Sequence, residues 1–217
     1  MSHSTPAPAV LAGAAYDAAP AGAQPHRSAA RLTLSALALA LIAGSYFQPF
    51  WSFKLYAPQY PHGLTLTISL TGFSGDVREI DMLNHYIGMG SLAQGAVLER
   101  RYAHLLVGGL VAALALLVLL PSRRSAVVAA VLGAAYPLGF LADTHYWLHR
   151  FGHGLDPHAP LRIPDFTPQL FGNGSIGQFM TFAVPKWGFG MAIAASVVLL
   201  MAAAWPRPQR GSSCCAP

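Results

Sequence analysis

The sequence predicts an all-α membrane protein, with four transmembrane helices and a small periplasmic cap made by two extracytoplasmic loops. Two observations carry that prediction. The 217 residues are 54% hydrophobic and only 10% charged, whereas soluble domains carry about 25% charged residues. The apolar residues also fall into four blocks, 32–50, 103–120, 126–147 and 187–205. Each is close to the roughly 20 residues that cross a 30 Å hydrocarbon core. Within lipid a segment must satisfy its own backbone hydrogen bonds, so each block reads as a helix. A soluble bundle would show polar helix faces, and these blocks show none.

Residues 1–30 are rich in Ala, Pro, Ser and Gly and read as a disordered tail. The first block reads as an uncleaved anchor rather than a signal peptide. Orientation comes from the basic residues at the span ends. Arg27 and Arg31 precede the first span, Arg123 and Arg124 fill the short second connection, and Arg207 and Arg210 follow the fourth. The opposite side carries as many acids as bases. Both termini are therefore assigned to the cytoplasm of a bacterial inner-membrane, multi-pass protein. The domain plan is a tail over 1–30, a membrane domain over 31–206 with outer loops 51–102 and 148–186, and a second tail over 207–217. Cys214 and Cys215 are adjacent near the end, so no disulfide framework is expected.

In the first outer loop, Trp51, Phe53, Tyr56 and Tyr60 suit an aromatic belt at the interface. Residues 64–70 alternate apolar and polar, as a half-buried strand does. Ser74-Gly75-Asp76 offers a helix start, and Val77, Ile80, Leu83 and Ile87 recur at helical spacing up to Gly88. The second outer loop is rich in Pro, from Pro157 to Pro185. It is expected to be ordered by packing on the cap rather than by secondary structure of its own.

The chain has nine His against eight acidic residues. Seven of them (His62, His85, His104, His145, His149, His153 and His158) fall on the outer side. His145, His149 and His153 are four residues apart and share a face if the third helix continues, although Gly152 weakens that continuity. His85 and Met89 have the same spacing. Imidazole and thioether together suit copper, thioether favouring Cu(I). The expected metal ligands are His85, Met89, His145, His149 and His153, with His62 and Asp143 next. Asp143 would orient an imidazole, and an ionisable group at a span end is itself a functional signal. The bland reading is that these His are amphipathic residues at a membrane interface. A haem b held by His104 and His149 is the alternative cofactor, and the absence of Cys-x-x-Cys-His excludes covalent haem. The Gly residues of the second and third spans are assigned to packing. No basic stripe interleaved with aromatics is present, so nucleic acid is not an expected partner. No nucleophile motif or suitable carboxylate pair is present, so no enzyme activity is expected.

Several stretches carry a resemblance: residues 57–61 (APQYP) with Gly63-Leu64, Gly75-Asp76-Val77, residues 83–89 (LNHYIGM), and Gly152-His153 with Leu155-Asp156-Pro157. Over about residues 46–190 the chain resembles small four-helix bacterial membrane proteins encoded beside the clade II (atypical) nitrous oxide reductase and its copper-maturation factors. The 83–89 stretch is the most specific part. The Ala-rich tail, the His-rich 144–150 segment and the Cys-Cys end depart from that pattern. The resemblance implies an accessory protein for a periplasmic copper enzyme, working by copper handling or docking. It adds weight to His85, Met89 and His153, and it implies a copper enzyme or copper chaperone as partner beside the lipid bilayer. The alternatives are a redox membrane protein, with haem b or a quinol site at the outer face, and a purely structural subunit.

Overall fold

The computed structural model describes residues 24–120, 122–177 and 179–205. The expected tails lie largely outside the described residues, as do Cys214 and Cys215. The all-α expectation is incorrect. Among the described residues there are five α-helices and a five-stranded antiparallel sheet. The helices are α1 (Gln24–Ser45), α2 (Val77–Tyr86), α3 (Val97–Leu119), α4 (Arg123–His153) and α5 (Trp187–Ala204). The strands are β1 (Trp51–Ala57), β2 (Tyr60–Ser69), β3 (Gly72–Gly75), β4 (Gly172–Ile176) and β5 (Phe179–Pro185), in the order β3-β2-β1-β5-β4. The outer loops thus form one sheet, and β1 joins the two halves by pairing with both β2 and β5.

Three helices, α3, α4 and α5, are long and apolar enough to cross a membrane, and the chain reads as a membrane protein. The expected first span, 32–50, ends early, because α1 stops at Ser45. Pro49 explains the early stop, because it has no N–H to donate and disfavours helix in the residue before it. The chain turns at residues 46–48, and Phe50 N donates to Ile68 O at 2.8 Å, which leads into β1. At its other end α1 begins at Gln24, inside the expected tail.

The bundle is a ring in which α1 packs on α5 and α3, and α4 packs on the same two helices. All four helices meet the sheet at one end, and α3 and α4 turn sharply at the other. The sheet closes the bundle with an aromatic core. Trp51 is fully buried, stacked edge-on against Phe189 and Phe171, and its indole N–H donates to Leu170 O at 2.9 Å. Phe50 meets Phe140 at 4.7 Å between ring centres. A buried Trp needs such a partner for its one polar atom.

Helix α4 has 31 residues, about 46 Å at 1.5 Å per residue. It therefore outruns a bilayer core of about 30 Å. Gly152 does not break it. A side chain there would collide with the Phe166 carbonyl, and Phe166 N donates to Gly152 O at 3.1 Å. The glycine permits the second outer loop to lie directly on the helix.

Pro137 sits inside α4. It cannot donate to the carbonyl four residues earlier, that of Gly133. Ser196 of α5 supplies the missing bond, its hydroxyl donating to Gly133 O at 2.8 Å and sharing with Ala192 O at 2.9 Å. Gly133 lets α5 approach that closely, because a Cβ there would overlap Leu199.

Candidate functional site: an apolar cavity beneath the sheet

Between the sheet, α2, α3 and the outer half of α4 lies a cavity of about 490 Å³. That is within the usual size of small-molecule sites. Its wall is almost wholly apolar. Phe73 and Leu66 come from the sheet, Ile80 and Leu83 from α2, Ala103 from α3, and Phe140 from α4. Leu106 of α3 and Gly139 of α4 belong to the same wall and are also exposed. The cavity is therefore continuous with the bundle surface on the α3–α4 side. Helix α3 is the least embedded of the three long helices, with 17% of its most apolar window buried against 33% for α4 and 39% for α5.

Polar side chains in the wall include Asn84 of α2, Thr181 of β5 and a group from α3 and α4. Asp143 and Trp147 are one turn apart on α4, and both line the cavity. The Trp147 indole Nε1 is buried and has no hydrogen-bond partner among the described residues. The Asp143 carboxylate lies near the indole without reaching hydrogen-bond geometry. An unmet buried donor costs about 1–3 kcal/mol, so native chains rarely keep one without a reason. Glu99 of α3 also lines the cavity and lies close enough to Asp143 for the two carboxylates to repel. The nearby cation does not neutralise them. Arg100 Nη2 donates to Ala93 O at 2.7 Å, its Nε donates to Ala96 O at 3.3 Å, and the guanidinium lies over the Phe73 ring at 4.9 Å.

The residues singled out from sequence are distributed around this cavity rather than gathered at one point. Met89 and Asp143 are in its wall. His62, His85, His104, His145, His149 and His153 are all exposed. Among the described residues, no group of three or more His, Cys, Asp or Glu side chains is placed to hold a metal ion. His149 and His153 do meet, their rings parallel within 9° and 3.9 Å apart. His153 Nδ1 lies 3.0 Å from the His149 carbonyl. A carbonyl only accepts, so Nδ1 is the donor, which in the neutral ring leaves the Nε2 lone pair for a ligand. His145 is exposed while Asp143, two residues earlier, faces the cavity. The expected pairing of that carboxylate with the His145 imidazole is therefore not formed.

His85 and Met89 do not share a helical face. Helix α2 ends at Tyr86, and Gly88 adopts a left-handed conformation with φ +81°. Met89 N donates to Asn84 O at 2.8 Å and Gly88 N to His85 O at 3.2 Å, the two bonds of a Schellman ending. Gly88 is needed for a second reason. A side chain there would meet Asp156, whose N–H donates to Gly88 O at 2.9 Å. Leu161 N bonds Tyr86 O at 3.1 Å. The 83–89 stretch is thus a helix ending on which the loop after α4 is seated, bringing together two separated parts of the resemblance. In that loop the Asp156 carboxyl is held below its ordinary range, first by the His158 backbone N–H at 2.8 Å and also by the nearby His158 and His85 rings. Asp76, expected as a helix cap, stands at that position but makes no cap bond. Its carboxylate instead accepts from Thr65 N at 2.7 Å.

Sequence reasoning missed Trp147, Glu99 and the cavity itself. One signal was available. Tyr136, Phe140, Asp143, Trp147 and Phe151 recur every three or four residues along α4, the stripe that faces the cavity. The His145–His153 series runs along a different face of the same helix. No protein-family model and no curated protein matches the chain.

Proposed function

We propose that the chain is a membrane accessory protein that takes a lipophilic small molecule from the bilayer into the cavity beneath its sheet. The observation that carries this reading is the cavity itself, apolar, about 490 Å³ and continuous with the surface between α3 and α4. Of the two redox alternatives raised by the sequence, it favours a quinol-type site over haem. The basic turn with Arg123 and Arg124, opposite the sheet end, supports a bacterial inner-membrane setting with the sheet and cavity outside and both termini in the cytoplasm. The resemblance to nitrous oxide reductase accessory proteins supports service to a periplasmic copper enzyme.

The test uses protein held in phosphatidylcholine nanodiscs and a redox-inert aromatic probe, tritium-labelled 1,4-dimethoxy-2-decylbenzene. Saturable uptake is expected, at one probe per chain. Gly139→Phe, which adds a ring at a wall position with open space around it, should reduce uptake at least tenfold. Uptake no greater than in empty nanodiscs overturns the reading.

A second reading, copper handling at the sheet end, is favoured by the stacked His149–His153 pair, with Nε2 of His153 facing no partner among the described residues. Within that proposal His145 and His85 are further ligands. A competition titration with a Cu(I) chelator should show uptake that falls in a His149→Ala, His153→Ala double variant. Equal uptake by the two proteins removes this reading.

A further inference from the structure

Resting on the lipophile reading, the inference concerns what the polar side chains of the cavity wall recognise. Apolar walls select for lipophilicity alone. Selectivity among lipophiles must come from the few polar atoms that converge on the ligand. Among the polar side chains of the wall, two are a donor and an acceptor one turn apart on α4. Trp147 Nε1 can only donate, and it is buried without a partner. The Asp143 carboxylate, when ionised, can only accept, and it lies one turn earlier on the same stripe of α4. The group that satisfies both at once is a hydroxyl, which accepts from the indole and donates to the carboxylate. A carbonyl or an ether oxygen accepts only, so it serves Trp147 and leaves Asp143 unmet. A cation serves Asp143 and leaves the indole unmet.

We infer that the cavity binds a lipid-soluble molecule through a hydroxyl group held between Trp147 Nε1 and the Asp143 carboxylate. The apolar remainder lies toward Ala103, Leu106 and Gly139, on the side where the wall meets the bundle surface. Two membrane sources offer this chemistry: a hydroquinone, with its hydroxyls on an aromatic ring, and an aliphatic lipid alcohol. Glu99 stands across from Asp143 and gives the second acceptor that a polyhydroxyl head would use.

The experiment displaces the labelled dimethoxy probe from protein in phosphatidylcholine nanodiscs, kept anaerobic. The unlabelled competitors are 2-decylhydroquinone, its dimethyl ether, decanol and methyl decyl ether. One hydrogen bond more or less changes affinity by about three- to tenfold. The hydroquinone should therefore displace the probe at a concentration lower than its ether by at least that factor. Trp147→Phe, which keeps a ring beside Phe151, and Asp143→Leu should each reduce the advantage, and the double variant should abolish it. An advantage of decanol over methyl decyl ether equal to that of the aromatic pair assigns the site to lipid alcohols generally. An advantage confined to the aromatic pair assigns it to hydroquinones. Equal potency of each hydroxyl compound and its ether overturns the inference while leaving the lipophile pocket intact. Failure of the probe to bind at all overturns the pocket beneath it.

Discussion

Helix α4 has two seams, and they are built in opposite ways. Against α5 it is filled. Gly133 accepts Leu199 in direct contact, Ala129, Ala130 and Ala195 are buried, and Ser196 repairs the backbone bond that Pro137 removes. Against α3 its outer half is hollow. Gly139, six residues further on, has nothing near the place its side chain would occupy, and the cavity lies alongside. A small residue on a membrane helix thus has two meanings. At Gly133 it permits contact, as small residues in membrane helices usually do. At Gly139 it leaves room. The packing role expected of the span glycines fits Gly133 and does not fit Gly108, Gly109 or Gly139.

The largest expected effect is at Gly133. Gly133→Leu should lower stability by about 2 kcal/mol or more, the cost of overpacking a filled seam, and a thermal midpoint in nanodiscs measures it. A midpoint equal to wild type would show that the seam is not filled. The next effect is at the repair. Ser196→Ala should cost about 1 kcal/mol, since it leaves the Gly133 carbonyl unmet. The cost should shrink in a Pro137→Ala background, where the helix supplies its own N–H. A double-mutant cycle showing additive costs would separate the serine from the proline. At the hollow seam, Gly139→Leu should leave the stability unchanged or raise it by up to about 1 kcal/mol, because Leu is the better helix former. A loss as large as that at Gly133 would erase the distinction between the seams.

The smallest effect concerns the loop seated on α2. Asp156 is held below its ordinary range, so its bonds contribute fully above about pH 4 and are lost as the pH falls through the lowered value. The His158 amide resonance should follow this titration with a midpoint below that of an unfolded aspartate. A midpoint at or above it would show that the amide bond is not maintained.

How legible these features were in the sequence follows from what each one depends on. The long helices were readable because lipid-facing segments need only composition and length, and α3, α4 and α5 satisfy both. The segment over residues 64–70 and helix α2 were readable because their buried positions alternate or recur with apolar side chains. Strand β5 was not. Its inward residues are Phe179, Thr181 and Ala183, and its outward ones include Met180 and Phe182, so polarity does not track the face. Strand β1 was hidden in the same way by Tyr56, an outward aromatic. The cavity was invisible because it is a gap between residues such as Leu106 and Gly139, which would look the same facing lipid. Sequence spacing also overvalued His85 with Met89, since the helix ends between them, and undervalued Trp147, whose significance lies in an unmet atom.

The pairing of β1 with β5 sets the order in which this protein is completed. Trp51 is opposite Pro185, a separation of 134 residues (185 minus 51). Contacts that distant in the chain form slowly, because the entropy of closing the intervening loop is met before any pairing rewards it. During synthesis β1 and β2 emerge early and must wait, with Trp51 lacking its neighbours, until α3, α4, β5 and the start of α5 have been made. The sheet therefore closes only on a chain whose middle helices have already been made. An intact sheet would therefore be a record of correct assembly, and its exposed aromatics, when it is open, a mark of a chain still unfinished.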